Sequence, residues 1–305
     1  MAASAPVSRM FKMTTTAAAS LGCLIAASAE TILPSVPEFD PARAAFSYSG
    51  DMDFDGGPGS LDVSRFEIRA LLSKPIKALD GLTVLPVFEY KATSLNFSGS
   101  PAGFPIGDED LHSVNLSAFA ISARDGSPWV YGGWGRAELA SDFQDLGSDD
   151  FTFDLAGGAG YRFNDKFLLG IGGAVVNLNG DAQFYPGIAF DWIVSDCLRI
   201  GLYGPTFIAA YTPDESWELS VRGDSGGGVW NIRDGGGTSH SIDLTSYRLG
   251  LFASRRLTGK LWLSAGVGAT FGNEIRLTQA DGDMLAKQDL ESGLFGEIGL
   301  RVTAW

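Results

Sequence analysis

The sequence predicts a closed antiparallel β-barrel of about 14 strands, with 12 as the alternative. Three observations predict it. Apolar residues recur with period two over long stretches, as in Phe151, Phe153, Leu155, Ala159, Tyr161 and Phe163, the alternation of a strand with one greasy face. The candidate strands run about 10 to 14 residues, enough for a tilted bilayer crossing of roughly 9 to 11. The opposite face holds Gly, Ser, Thr and single charges instead of a second bulky set. In lipid such a sheet must close, since hydrocarbon offers an open edge no hydrogen-bond partner.

The chain opens with a segment of different character. Arg9 and Lys12 precede the small, uncharged run Thr14 to Ala26, and Ala27-Ser28-Ala29 fits a small-x-small cleavage site. Residues 1–29 therefore read as a secretory signal peptide. Residues 30–42, with Pro34, Pro37 and Pro41, read as an extended periplasmic lead-in, and 43–305 as the barrel.

Strand candidates follow in order. Phe46, Tyr48, Met52 and Phe54 share one face of the first. The second sets Phe66, Ile68, Ala70 and Leu72 against Arg65, Glu67 and Arg69. Leu82, Val84, Phe88 and Tyr90 form the third, opposite Glu89 and Lys91, with a distortion expected at Pro86. The fourth spans about Leu111 to Arg124. The fifth opposes Trp129, Tyr131, Ala137 and Leu139 to Trp134, Arg136 and Glu138. The sixth is the Phe151–Phe163 alternation, whose other face carries Asp154 and Arg162. Phe167 to Val176 is the seventh. The eighth presents Phe184, Ile188, Phe190 and Trp192 against Asp191, and the ninth Leu198, Ile200, Leu202 and Ile208 against Arg199. Trp217–Val221 and Gly226–Ile232 count as tenth and eleventh. Ile242–Ser254 contains Arg248, Leu261–Phe271 alternates cleanly, and Leu294–Ala304 opposes Glu297 and Arg301.

This partition makes one set of connections short (125–126, 164–165, 194–196, 222–225, 255–258). The other set holds the long 94–110 and 273–290 segments and the acidic 142–150 loop. Short periplasmic turns and longer extracellular loops are the pattern of an outer-membrane barrel. An even strand number places the long loops on one side.

The composition excludes several function classes. The formal charge of −14, from 36 Asp and Glu against 22 Lys and Arg, argues against nucleic acid, which wants a basic face. Two Cys and two His supply neither a thiolate cluster nor a disulfide framework. No cofactor and no metal site is expected. His112 beside Ser113, and His240 between Ser239 and Ser241, are the imidazoles a hydrolase would need. Neighbours on a strand point to opposite faces, so neither makes a dyad, and no enzyme is expected. Asp281-Gly282-Asp283 is too short for a calcium loop, and Asp234-Gly235-Gly236-Gly237 lacks the helix and Lys of a phosphate loop. Trp305 resembles the terminal aromatic read by barrel-assembly machinery, although it falls with Arg301 and Thr303 in parity.

Over residues 43–305 the chain resembles a family of bacterial outer-membrane β-barrels classified only as a domain of unknown function. The resemblance is most specific at Tyr185-Pro186-Gly187-Ile188-Ala189-Phe190-Asp191-Trp192, Tyr203-Gly204-Pro205, Trp217-Glu218-Leu219 and the glycines through Gly228 to Trp230. It implies location and barrel form, and no catalytic residue.

The functional candidates are the charges assigned to the lumen: Arg65, Glu67, Arg69, Glu89, Lys91, Arg136, Glu138, Asp154, Arg162, Asp191, Arg199, Arg248, Glu297 and Arg301. Buried ions must be paired or hydrated, so these form either a structural plug or the lining of a narrow channel. The expected partners are outer-membrane lipid, the assembly machinery during insertion, and small polar solutes. The alternative is an exported soluble β-sandwich or adhesin that binds carbohydrate or a surface partner, with both strand faces buried in protein; an outer-membrane hydrolase is a more remote one.

Overall fold

The computed structural model describes residues 40–303, apart from 80, 100–106, 125, 179–180, 234–238 and 280–281. The segment read as a signal peptide, most of the proline-rich stretch after it, Asp281, Asp234 to Gly237 and Trp305 lie outside the described residues.

Among the described residues, seventeen hydrogen-bonded segments form one antiparallel ring. Three pairs of them lie end to end against a single neighbour, which leaves fourteen strands. In chain order these are β1 (Ala42–Asp53), β2 (Ser60–Leu71, continued by Ile76–Leu79), β3 (Leu82–Ser98), β4 (Glu109–Ala123) and β5 (Trp129–Ser141). Then come β6 (Phe151–Asn164), β7 (Phe167–Leu178), β8 (Asp181–Ser195), β9 (Leu198–Tyr203) and β10 (Thr206–Asp214). The last are β11 (Trp217–Ser225, continued by Gly228–Arg233), β12 (Ser239–Thr258), β13 (Leu261–Gln279) and β14 (Met284–Leu290, continued by Leu294–Val302). The seam closes where Ala42–Gly50 of β1 pairs with Val302–Leu294 of β14.

The greasy faces point outward. Ile171 is 69% exposed and Leu294 72%, and Phe153, Ile188 and Leu263 also face out. A sandwich would bury these faces against a second sheet, so the closed ring overturns the sandwich alternative. The outward row of β13 is Leu263, Ala265, Val267, Ala269 and Phe271, about the height of an outer-membrane apolar band. Aromatics mark both edges of the band. Towards the periplasmic turns, Trp129, Tyr161, Phe163 and Phe167 form a chain with centroids 5.1 to 5.7 Å apart. At the outer edge Tyr247 stacks on Phe271 at 5.9 Å. Both described chain ends lie at the periplasmic side, and turns 165–166, 196–197, 215–216 and 259–260 there are two residues long.

The strand total matches expectation, but its partition is corrected twice. Residues 198–208, expected as one strand, are β9 and β10, joined by a tight turn at Gly204-Pro205. Gly204 takes a left-handed φ of +65° there, which favours glycine. Conversely, 217–221 and 226–232 are one strand, both segments pairing with β12, so 222–225 is no turn. The two errors cancel. The long 273–290 segment is also mostly strand, with Asn273–Gln279 and Met284–Leu290 both in the ladder. Above the band the pattern inverts: Ile275 and Leu277 point inward, while Glu274 and Arg276 face out. Water replaces lipid outside, so the apolar row no longer marks the outer face.

Candidate functional site in the lumen

The inward rows stack in layers, and β2 shows the order. From the outer end it presents Leu61 and Val63, then Arg65, Glu67 and Arg69, then Leu71. Apolar, charged, apolar is the plan for much of the barrel.

The outer apolar layer includes Met52, Leu61, Leu95, Leu111, Trp230 and Ile242. It exists because β11 turns inward at Gly226-Gly227. A Cβ on Gly227 would collide with the Leu244 carbonyl, so only glycine lets the strand cross there. Beyond the turn, Asn231 bridges to Ser141 of β5 in parallel. Trp230 donates from Nε1 to Ser113 Oγ across the lumen at 3.0 Å. Arg65 donates from Nη2 to the Gly226 carbonyl at 2.7 Å and lies 3.3 Å from Thr93 Oγ1.

The charged layer has several groups. On β3 to β6, Arg136 reaches Glu138 at 2.6 Å and Asp154 at 2.7 Å, while Lys91 meets Glu89 at 2.6 Å. On β8 and β9, Arg199 grips Asp191 at 2.5 Å with two donors. Around the seam, Arg43 pairs with Glu297 at 2.6 Å and Arg248 with Asp224 at 2.7 Å. Nearer the periplasm, Glu218 accepts from Arg222 and Arg301, each at 3.0 Å, with Asp40 4.0 Å from Arg301. Glu67 stands between Arg65 and Arg69, and Arg162 is half-buried at the periplasmic rim; neither joins these ion pairs.

Arginine predominates for a physical reason. Its flat guanidinium binds carboxylates in plane and stacks on rings with its face. Arg222 lies 4.7 Å from the Phe252 centroid, Arg301 5.2 Å from Trp262, Arg248 5.3 Å from Phe295 and Arg136 5.6 Å from Trp134. Each charge is thereby clamped between a carboxylate and a ring.

The inner apolar layer includes Val87, Phe119, Ile121, Val130, Leu168 and Ile208. Phe119 and Val130 are wholly buried, although they point into the barrel. Among the described residues, side chains of both apolar layers and of the charged belt point into the bore. A cavity of about 10 Å³ beside Arg65 and Arg248 has room for roughly one water.

Sequence reasoning missed Asp40, Arg43, Glu218, Arg222 and Asp224. Glu218 was legible: it falls between Trp217 and Leu219 with the parity of a lumen face, whereas Arg222 opened the 222–225 segment expected to be a turn. Asp224 lay in a segment expected to be a turn, and Arg43 at the start of a strand expected to begin later.

The mouth is covered by the 142–150 loop, tied to the inturned end of β11. Arg233 lies 3.1 Å from Asp145 and 3.2 Å from Asp149, Ser239 donates to Asp149 at 2.9 Å, and Asn231 donates to the Asp149 carbonyl. In this loop burial, opposed by a backbone bond from Gly147, pushes the Asp150 carboxyl up. Ser113 and His112 point to opposite faces. Ser113 holds Trp230, while His112 lies 3.0 Å from the Tyr90 hydroxyl. Among the described residues no group of three His, Cys, Asp or Glu is placed to hold a metal.

A family model described as "Domain of unknown function (DUF6268)" matches residues 128–303. Among solved structures, the chain is similar to an outer membrane channel from Pseudomonas putida F1, at 14% identity and TM-score 0.45, covering 89% of this chain and 99% of that one. It is also similar to a Pseudomonas aeruginosa FadL homologue, at 11% identity and TM-score 0.42, covering 93% and 96%. No curated protein matches.

Proposed function

Starting from the premise that this chain belongs to that uncharacterised family, we propose an outer-membrane barrel that is closed along its axis, its lumen charges serving as structural cement. The observation that carries the reading is the layered bore, a belt of clamped arginines between two apolar plugs. A conduit for ions or polar solutes needs a wetted path with exchangeable sites, whereas Phe119, Leu111 and Trp230 occupy the bore here. The role is that of a surface or structural component of the outer membrane, not of an enzyme.

The charged flank, apolar run and Ala27-Ser28-Ala29 site in residues 1–29 support export, with residues 30–42 as the periplasmic lead-in. The partners that follow are outer-membrane lipid around the band and the assembly machinery during insertion. Small polar solutes belong to the competing channel reading.

Planar bilayers test the proposal. Folded barrel, verified by heat-dependent gel mobility, is expected to give no discrete conductance steps over many insertions. Stepwise conductance whose ion selectivity changes in Arg136→Gln would establish the channel instead.

A further inference from the structure

Towards the periplasmic turns, the outward rows of β11 and β12 are apolar with one exception. β11 sets out Trp217, Leu219 and Val221, and β12 sets out Leu249, Leu251, Ala253 and Leu257. Arg255 takes the outward place between Ala253 and Leu257 and is exposed. In the ladder it stands between Trp217 of β11 and Leu263 of β13. Trp217 is the first strand residue after the 215–216 turn, so Arg255 lies at the periplasmic end of the wall. A cation on the lipid side of a barrel costs most at the middle of the bilayer and least at this edge.

No acid answers this arginine. Among the described residues Arg255 makes no ion pair and no side-chain hydrogen bond; its guanidinium lies 5.3 Å from the Trp217 centroid. The two carboxylates of the neighbouring turn are engaged elsewhere. Asp214 accepts from the Ser216 and Trp217 amides at 2.6 and 3.1 Å, and Glu215 reaches Arg256 at 3.6 Å. Stacking on a ring uses the face of a guanidinium and leaves its in-plane N–H donors for another acceptor. That fork matches a phosphate through two parallel hydrogen bonds. Lys260, exposed in the 259–260 turn that follows β12, adds a second positive charge at the same end.

The surroundings narrow the ligand further. Leu251 and Leu257, on the same row, are 65% and 50% exposed, a surface that suits acyl chains and not a hydrated peptide or glycan. A phospholipid offers both halves, a phosphate for the fork and hydrocarbon for the leucines. Basic residues at a membrane surface favour anionic headgroups over zwitterionic ones. We propose that Arg255, stacked on Trp217 and joined by Lys260 in the adjoining turn, is a binding site for the phosphate of an anionic phospholipid in the periplasmic leaflet. The site rests on the chain standing in the outer membrane with these turns in the periplasm. It does not depend on whether the axis of the barrel is closed.

Native mass spectrometry tests it. The folded barrel, verified by heat-dependent gel mobility, is titrated in detergent with phosphatidylglycerol or with phosphatidylcholine, and retained lipid is counted. The first phosphatidylglycerol is expected to be held several-fold more tightly than phosphatidylcholine. Arg255→Gln is expected to lose that preference several-fold, whereas Arg124→Gln, which removes an exposed cation from another periplasmic connection, is expected to keep it. Equal retention of the two lipids overturns the anionic assignment. An equal loss in both variants overturns the site, because diffuse attraction to the basic rim would then account for the binding. If Arg255→Gln does not reach the heat-modifiable form, Arg255→Lys takes its place with the same expected loss, since a lysine keeps the charge without the planar fork. A wild-type chain with no heat-modifiable form would reject the barrel reading itself, and the two failures are thereby told apart.

Discussion

Glu218 accepts from both Arg222 and Arg301, so removing its charge strands two guanidiniums away from water. Breaking a buried pair costs about 3–5 kcal/mol, and Glu218→Gln is expected to lower stability by that order in urea unfolding from lipid vesicles. An effect under about 1 kcal/mol would mean that ring stacking, with Ser220 beside Arg222 and Asp40 beside Arg301, suffices to hold these cations. Asp40, just before β1, is raised to about 6 by burial, opposed by Arg301 and Arg43. A carboxyl whose folded value lies above its unfolded one favours the protonated folded state, so its contribution improves as pH falls from 7 through 6 towards 4. Asp40→Asn is expected to flatten that part of the pH–stability curve; an unchanged curve would show that Asp40 is not the titrating group. At this scale the sequence was informative wherever a charge interrupted a clear alternation, as at Glu89, Arg136, Asp154 and Asp191. It was silent about partners: Glu218 and Arg301 are 83 residues apart, and only ring closure brings them together.

At the level of elements, period two located most strands because lipid outside and a polar bore inside impose opposite chemistry on the two faces. Where that contrast fails, so did the reading. β9 and β10 together look like one strand because the turn at Gly204-Pro205 interrupts an otherwise continuous apolar pattern. β11 looks like two because Gly226-Gly227 mimics a turn while serving as an inward bend. The bend gives a sharp expectation. Gly227→Ala places a methyl against the Leu244 carbonyl, an overpacking that costs about 1–3 kcal/mol or more, whereas Gly107→Ala, at an open position with nothing within 4 Å, is expected to cost less. Equal midpoints in urea would remove the bend from the account. The tie at the mouth belongs here too. Arg233→Ser loosens the 142–150 loop, leaving only the ties of Ser239 and Asn231 to Asp149, and protease added outside cells is expected to cut there faster with little loss of global stability, since exposed ion pairs contribute little.

For the molecule as a whole, the outward apolar belt and the closed ring were the most legible features, because both follow from the solvent on each side of the wall. The apolar layers inside the ring were not. An inward Phe119 or Trp134 reads from sequence as an irregularity in a strand, and it becomes a plug only when the opposite wall is known. The seam has a consequence for biogenesis. β1 finds its last partner in the final segment of the chain, Leu294–Val302. During folding, therefore, the first strand keeps one bare flank until the last segment takes its place. Loss of even the final ten residues would remove most of that pairing and leave the cylinder unzipped.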